Sequence, residues 1–173
     1  LPSNQALAVG PDIAYAVVPA PQGAPVAFYV LADAARARYA PELGEVEPVA
    51  VLTGADLVGR RYQPLMPYFA DHADSFGADF VATEDGTGVV HVAPGFGEDD
   101  QRTGEAAGIA LVAPVDDEGR FTADVPDYAG MNVFDANPLV IRDLKAQGKV
   151  LRHETYDHNY PHCWRTDTPI IYR

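Results

Sequence analysis

Fifteen glycines and fifteen prolines punctuate these 173 residues and cut the chain into short apolar runs. Ile13, Tyr15 and Val17 alternate with Ala14 and Ala16, which predicts a half-buried strand broken by Pro19-Ala20-Pro21-Gln22-Gly23. Residues 26–31, with Phe28 and Tyr29, predict a buried strand, and residues 49–52 predict another. Residues 79–83 and 89–93 predict a hairpin around Glu84-Asp85-Gly86-Thr87-Gly88, whose glycines can supply positive φ. Residues 109–112, 150–152 and 170–172 also read as strands.

The expected helices are short. One covers residues 33–39 and stops before Pro41. Thr53 can cap a helical turn over 55–58. Another helix covers 99–107, with Gly108 as its stop. The cleanest covers 137–147: Asn137 is the expected N-cap, Pro138 sits at the first position, Leu139, Ile141 and Leu144 are apolar, and Gly148 ends it. Lys145 and Lys149 fall at its C-terminal end, where the helix dipole favours cations. Pro64 and Pro67 make residues 62–69 irregular, and Asp116-Asp117-Glu118-Gly119 reads as a turn. Gly/Pro turns, not regular crossover helices, separate the strands. That argues against a doubly wound sheet. It predicts a mainly β fold with α insertions, of the α+β class. Its core would be β-barrel-like, a barrel or sandwich with short helices around it, in a single domain over residues 1–173.

Charge narrows the function. Lys and Arg total 12 and Asp and Glu 25, a net charge of −13. Binding nucleic acid through bulk positive charge is excluded, and so is docking on an anionic membrane face. No apolar run approaches the roughly 18 residues of a spanning helix, and the start shows neither a basic nor an apolar leader segment. Cys163 is the single cysteine, so no internal disulfide forms, which fits a reducing cytosolic setting. The start without Met and the strand-like end read as cut from a longer chain. Charge is uneven: residues 71–135 hold fifteen acids against Arg102 and Arg120 alone, whereas six cations and four acids lie beyond Arg142 inclusive. A polyanion would meet the last third; a solvated surface of uneven charge explains the pattern equally well.

The densest chemistry lies in residues 86–100. A strand delivers His91 to its end, and Pro94, Gly95 and Gly97 then hold an irregular loop whose backbone amides can approach a ligand. Asp99 and Asp100 follow at a helix N-terminus, where a fixed carboxylate suits binding an ammonium group better than donating a proton. The alternative is that Asp99 caps the helix, Asp100 is solvated and His91 points into the core. Gly95-Phe96-Gly97 is too little for a phosphate loop. His158 and His162 followed by Cys163 have the spacing of half a zinc site without its partners, so no metal is expected; Trp164 and Tyr160 are expected to pack. No Ser or Cys nucleophile signature is present.

Gly86-Thr87-Gly88-Val89-Val90-His91 through Ala93-Pro94-Gly95-Phe96-Gly97-Glu98-Asp99-Asp100 closely resembles the editing-site motif of the isoleucyl-tRNA synthetase family, class Ia. Leu1-Pro2-Ser3-Asn4 resembles the tail of that family's threonine-rich segment. Tyr160-Pro161-His162-Cys163-Trp164-Arg165 with Thr168-Pro169-Ile170-Ile171 resembles the return toward the catalytic core. The match touches both ends and the middle. Valyl and leucyl enzymes carry related insertions, but Leu-Pro-Ser-Asn favours the isoleucyl member.

The resemblance implies an editing domain, a fragment of a larger synthetase, that hydrolyses valine misattached to isoleucine tRNA after, and also before, transfer. It implies that isoleucine is excluded by size. Asp100 matches the family's key aspartate and would bind the substrate's α-ammonium; His91 matches a histidine near the ester and terminal ribose. These two are the implied catalytic residues. Asn4, Thr87, Gly88, Ala93, Pro94, Gly95, Phe96 and Gly97 would contact the substrate, with water as the attacking group and no metal. The implied partners are the 3′ end of the mischarged tRNA and the rest of the synthetase, with no membrane, in the cytoplasm. ATP and Mg belong to the full synthetase, and the editing domain needs no cofactor. The family's threonines would precede Leu1 and form another wall of the pocket, so the chain without them is expected to fold yet bind and hydrolyse weakly. Two other classes stay open: a metal-dependent hydrolase using His91, Asp100 and His158, and a non-catalytic module that contacts RNA or a protein partner.

Overall fold

The computed structural model describes residues 2–69, 74–155 and 160–171. Along the chain run β1 (Ala6–Val9), β2 (Ala14–Pro19), β3 (Phe28–Ala32), α1 (Arg36–Leu43), β4 (Ala50–Thr53), α2 (Gly54–Leu57), β5 (Asp74–Gly77), β6 (Val89–Val92), α3 (Glu98–Ala106) and α4 (Val133–Ala146). The strands form two three-stranded sheets, ordered β5-β1-β6 and β3-β2-β4. β1 is parallel to β5 and antiparallel to β6. Parallel strands need a long crossover, and here that crossover contains the whole second sheet.

The fold is α+β with mixed sheets and few helices, as expected. The barrel-like core does not close: among the described residues no ladder joins the two sheets. Closing a sheet requires tilted, staggered strands that continue around the ring. The strands here are four to six residues long and end at Gly, Pro or a helix.

The hairpin over 79–93 also does not form. β6 pairs with β1, far upstream, and β5 lies at 74–77, before the expected strand. Residues 109–112 and 150–152 make no ladder, and His162 with Pro169 forms only an isolated bridge near the chain's end. Tyr172 lies outside the described residues.

Helix limits follow capping and packing more than proline. α1 runs through Pro41 to Leu43, preceded by a 3-10 turn at Asp33–Ala35, and ends at Gly44 with φ +80°. α4 starts at Val133, not after Asn137. Asn132 is its cap, accepting the Phe134 N–H at 3.0 Å, and Pro138 lies inside the helix. An internal proline costs about 3 kcal/mol. Ala136, Val140 and Leu144, one stripe at four-residue spacing, are buried in compensation. Thr53 caps α2 in a box with Asp56, and Gly108 (φ +70°) follows α3, both as expected.

Three buried clusters support these elements. Tyr15, Val18, Leu31, Ala35 and Leu43 pack the second sheet on α1. Met66, Val125, Tyr128, Val140 and Leu144 pack α4 against loops. Ala6, Ala8, Ala78, Val81 and Val92 form the core behind the first sheet. Trp164 does not pack: it is 85% exposed, with the Arg165 guanidinium 4.6 Å from its ring centroid. Tyr160, also exposed, meets Phe134 edge-on at 6.2 Å. Among the described residues no helix is long and apolar enough to cross a membrane.

Candidate functional site

Pairing of β1 with β6 builds the site. Leu7 stands opposite His91, and Ala6 opposite Val92. Alternation along β6 sends Val92 into the core and leaves His91 only partly buried. Asn4, just before β1, brings its side-chain nitrogen Nδ2 to 2.7 Å from His91 Nδ1. The same nitrogen donates to the Ala6 carbonyl at 2.8 Å, and Asn4 Oδ1 accepts a hydrogen bond from the Tyr62 hydroxyl.

Beyond β6 the chain enters a buried 3-10 turn, Pro94–Phe96, and then α3. Gly97 is the N-cap of α3, with extended backbone that any residue adopts, so Asp99 does not cap the helix. Asp100 instead folds back, its Oδ2 accepting the Ala93 N–H at 2.9 Å. Its other oxygen has no hydrogen-bond partner among the described residues. His91, Ala93 and Asp100 thus sit around one end of β6. Close packing sets the loop's position. A Cβ at Gly95 would lie 2.4 Å from the Val112 carbonyl oxygen, and one at Gly104 in α3 would lie 2.6 Å from Pro94 Cγ. Gln5, wholly buried, ties the start of β1 to the Ala110 carbonyl at 2.7 Å.

Thr87 and Gly88 lie at the opposite end of β6, a strand about 13 Å long at its usual rise. That end is pinned by the second sheet: Ala32 N–H donates to Thr87 O at 2.7 Å, and the buried Tyr15 hydroxyl donates to Gly88 O at 2.6 Å. Arg38 donates to the carbonyls of Gly86 (2.7 Å), Thr83 (3.2 Å) and Glu84. Asn4, His91, Ala93, Pro94, Gly95, Phe96, Gly97 and Asp100 are therefore grouped, and Thr87 and Gly88 serve the far end of the same strand. Sequence reasoning missed Tyr62, Gly104 and Arg38. Tyr62 and Arg38 act across 58 and 48 residues, which local patterns do not register, although an isolated glycine inside a helical pattern was a usable sign at Gly104.

Burial pushes the His91 imidazole down to about 4 from the ordinary 6.5. The ring is neutral at pH 7. The unfolded chain takes its proton first, so stability falls as pH drops from 6.5 toward 4 and levels off below. The full change is about 3 kcal/mol at 1.36 kcal/mol per unit. Urea unfolding at pH 7 and pH 4.5 is expected to show this loss in the wild type and a much smaller one in His91→Gln.

Among the described residues no three His, Cys, Asp or Glu side chains come together as a metal site requires, and His158 lies outside the described residues. A cleft of about 530 Å³ bounded by Val18, Asp33, Arg36, Leu43 and Glu47 contains none of the expected site residues, and its Arg36 is paired with Asp33 at 3.2 Å.

The arrangement has solved counterparts. The crystal structure of GlLeuRS-CP1 superposes with a TM-score of 0.66 at 15% identity, covering 90% of this chain and 80% of that one. The editing domain of the Plasmodium falciparum cytosolic leucyl-tRNA synthetase gives 0.61 at 10% identity, covering 86% and 73%. The fold is thus that of synthetase editing domains. By sequence, the isoleucine–tRNA ligase of Rickettsia akari (strain Hartford) is 53% identical over 178 residues, and that of Mycobacterium tuberculosis (strain CDC 1551 / Oshkosh) 54% identical over 186. Both matches cover 100% of this chain, which spans only 16% and 17% of the two relatives. No protein-family model matches. The chain belongs to the isoleucine–tRNA ligase family, as a segment of that family with the editing-domain fold.

Proposed function

We propose that residues 1–173 act as one editing domain within a larger synthetase and hydrolyse the aminoacyl ester of valine misattached to isoleucine tRNA. The observation that carries this reading is the grouping of His91, the Ala93–Gly97 loop and Asp100 around one end of β6. Asp100 is held by the Ala93 N–H and has a second oxygen to offer; it receives the substrate's α-ammonium. His91, neutral at pH 7, meets the ester or ribose oxygens by hydrogen bonding and orients the attacking water. The rigid 93–97 loop walls the side-chain pocket, and the threonine-rich segment of the family closes another side. Thr87 and Gly88 support the site by fixing the other end of the strand that carries His91. Valyl adenylate, which bears the same ammonium, is a second substrate.

The 3′ end of the tRNA is the part of the polyanion that enters, which suits a domain of net charge −13. The rest of the synthetase holds the remainder in cis and uses ATP and Mg for aminoacylation. Editing proceeds with water and the chain's own side chains, in the cytoplasm. Excluding one methylene by size is worth about 1–3 kcal/mol, or 10- to 200-fold. Calorimetric titration of the domain, preceded by the threonine-rich segment, with non-hydrolysable valyl- and isoleucyl-adenosine analogues is expected to show that preference for valine. Omitting the segment is expected to weaken both the affinity and the preference. Equal affinity for the two analogues with the segment present would refute the sieve. Undiminished valine selectivity without it would put the sieve wholly within these residues.

A further inference from the structure

Asn4 spends its whole side-chain amide inside the protein. An amide nitrogen carries two hydrogens, and here one goes to the Ala6 carbonyl and the other to His91 Nδ1. The Ala6 carbonyl can only accept, so the amide cannot be turned over without setting oxygen against oxygen. With Nδ2 as donor, His91 Nδ1 must be the acceptor, and the ring proton lies on Nε2. Among the described residues Nε2 has no hydrogen-bond partner. On the other side of the amide, Oδ1 accepts from the hydroxyl of Tyr62, a half-buried residue in the irregular stretch after α2.

We propose that Asn4 is a positioning residue: its amide, oriented by the Ala6 carbonyl and braced by the Tyr62 hydroxyl, holds His91 as the tautomer that presents an Nε2–H donor to the substrate. This rests on the deacylase reading for the substrate and on geometry alone for the tautomer. The carboxamide is restrained at all three of its polar contacts, so the ring is fixed in rotation as well as in protonation. His91 then donates to an oxygen of the ester or ribose and does not act as a base through Nδ1. Asn4 faces the histidine, not the substrate.

Two measurements separate the parts. ¹⁵N NMR of the imidazole-labelled chain at neutral pH reads the tautomer with no substrate present. The wild type is expected to show His91 protonated at Nε2 alone. Asn4→Asp, whose carboxylate can only accept, is expected to move the proton to Nδ1, whereas Tyr62→Phe, with the Ala6 carbonyl still orienting the amide, is expected to keep the Nε2–H form. A wild-type ring protonated at Nδ1, or an Asn4→Asp ring still wholly in the Nε2–H form, overturns the proposal. In the whole synthetase, Tyr62→Phe is expected to lower kcat for valyl-tRNA deacylation about tenfold, the effect of one lost positioning hydrogen bond, with KM within about twofold. A rise in KM at unchanged kcat also overturns it. If the tautomer behaves as expected but the wild-type synthetase releases no valine, the deacylase reading fails and the tautomer assignment stands.

Discussion

Asp100→Ala in the whole synthetase is expected to abolish hydrolysis of valyl-tRNA while leaving isoleucine activation intact. A charge-assisted contact in a desolvated site is worth about 2–5 kcal/mol, so the rate falls by roughly 30-fold to several thousand-fold. The fold should survive. A carboxylate at a helix start contributes up to about 1 kcal/mol, and the bond to the Ala93 N–H at 2.9 Å adds about as much again. Asp100→Asn sharpens the test. Its amide oxygen can still accept from Ala93 N–H and keep the loop in place, but it brings no charge to an ammonium. Deacylation should fall nearly as far as in Asp100→Ala, with a thermal midpoint lowered by at most about 4 °C for the lost charge at the helix start. If Asp100→Asn edits normally, the carboxylate serves the loop alone, and its role as ammonium ligand is wrong.

The loop glycines are expected to differ sharply from each other. At Gly95 a methyl group would meet backbone, 2.4 Å from the Val112 oxygen and 3.2 Å from Ala113 Cα, so segment 112–113 or the 3-10 turn must move. Gly95→Ala should cost about 1–3 kcal/mol, lower the thermal midpoint by roughly 2–12 °C, and displace the Ala93 N–H from Asp100. At Gly97 the same methyl finds only ordinary contacts of 3.6–3.7 Å, all with the Asp100 side chain, on extended backbone open to any residue. Gly97→Ala should cost at most about 1 kcal/mol, from the N-cap preference for glycine over alanine, and set a methyl group beside the carboxylate that raises KM for valyl-tRNA. Equal stability losses in the two variants would contradict the packing described for the loop.

What was legible in the sequence was local. Pro94, Gly95 and Gly97 after an apolar run that carries His91, with Asp99 and Asp100 opening a helix, predict the strand, the irregular turn and the carboxylates at the start of α3, and all three are present. Where a feature depended on a distant partner, local pattern misled. The glycines at 86 and 88 look like hairpin residues, and they do take positive φ, but β6 pairs with β1 because the buried Ala6, Ala8 and Val92 need a common face. Pro138 after Asn137 looks like a helix start, yet the stripe Ala136, Val140 and Leu144 outweighs the proline and Asn132 supplies the cap. Strand pairing gives two sheets with no ladder between them among the described residues, so the expected barrel-like core stays open. Tyr62 carried no sign at all, since its hydroxyl reaches Asn4 across 58 residues. The grouping of Asn4 with His91, implied by resemblance as common contact with a substrate, is in the structure a direct bond between the two side chains.

The central claim is that this domain removes valine and spares isoleucine. Deacylation of valyl- and isoleucyl-esters of the isoleucine tRNA, by the whole synthetase with this domain intact and with Asp100→Asn, tests it most directly. The intact enzyme should release valine at least ten times faster than isoleucine, as one excluded methylene allows, and the variant should release neither. Equal release of the two amino acids, or release of valine undiminished in the variant, would contradict the account.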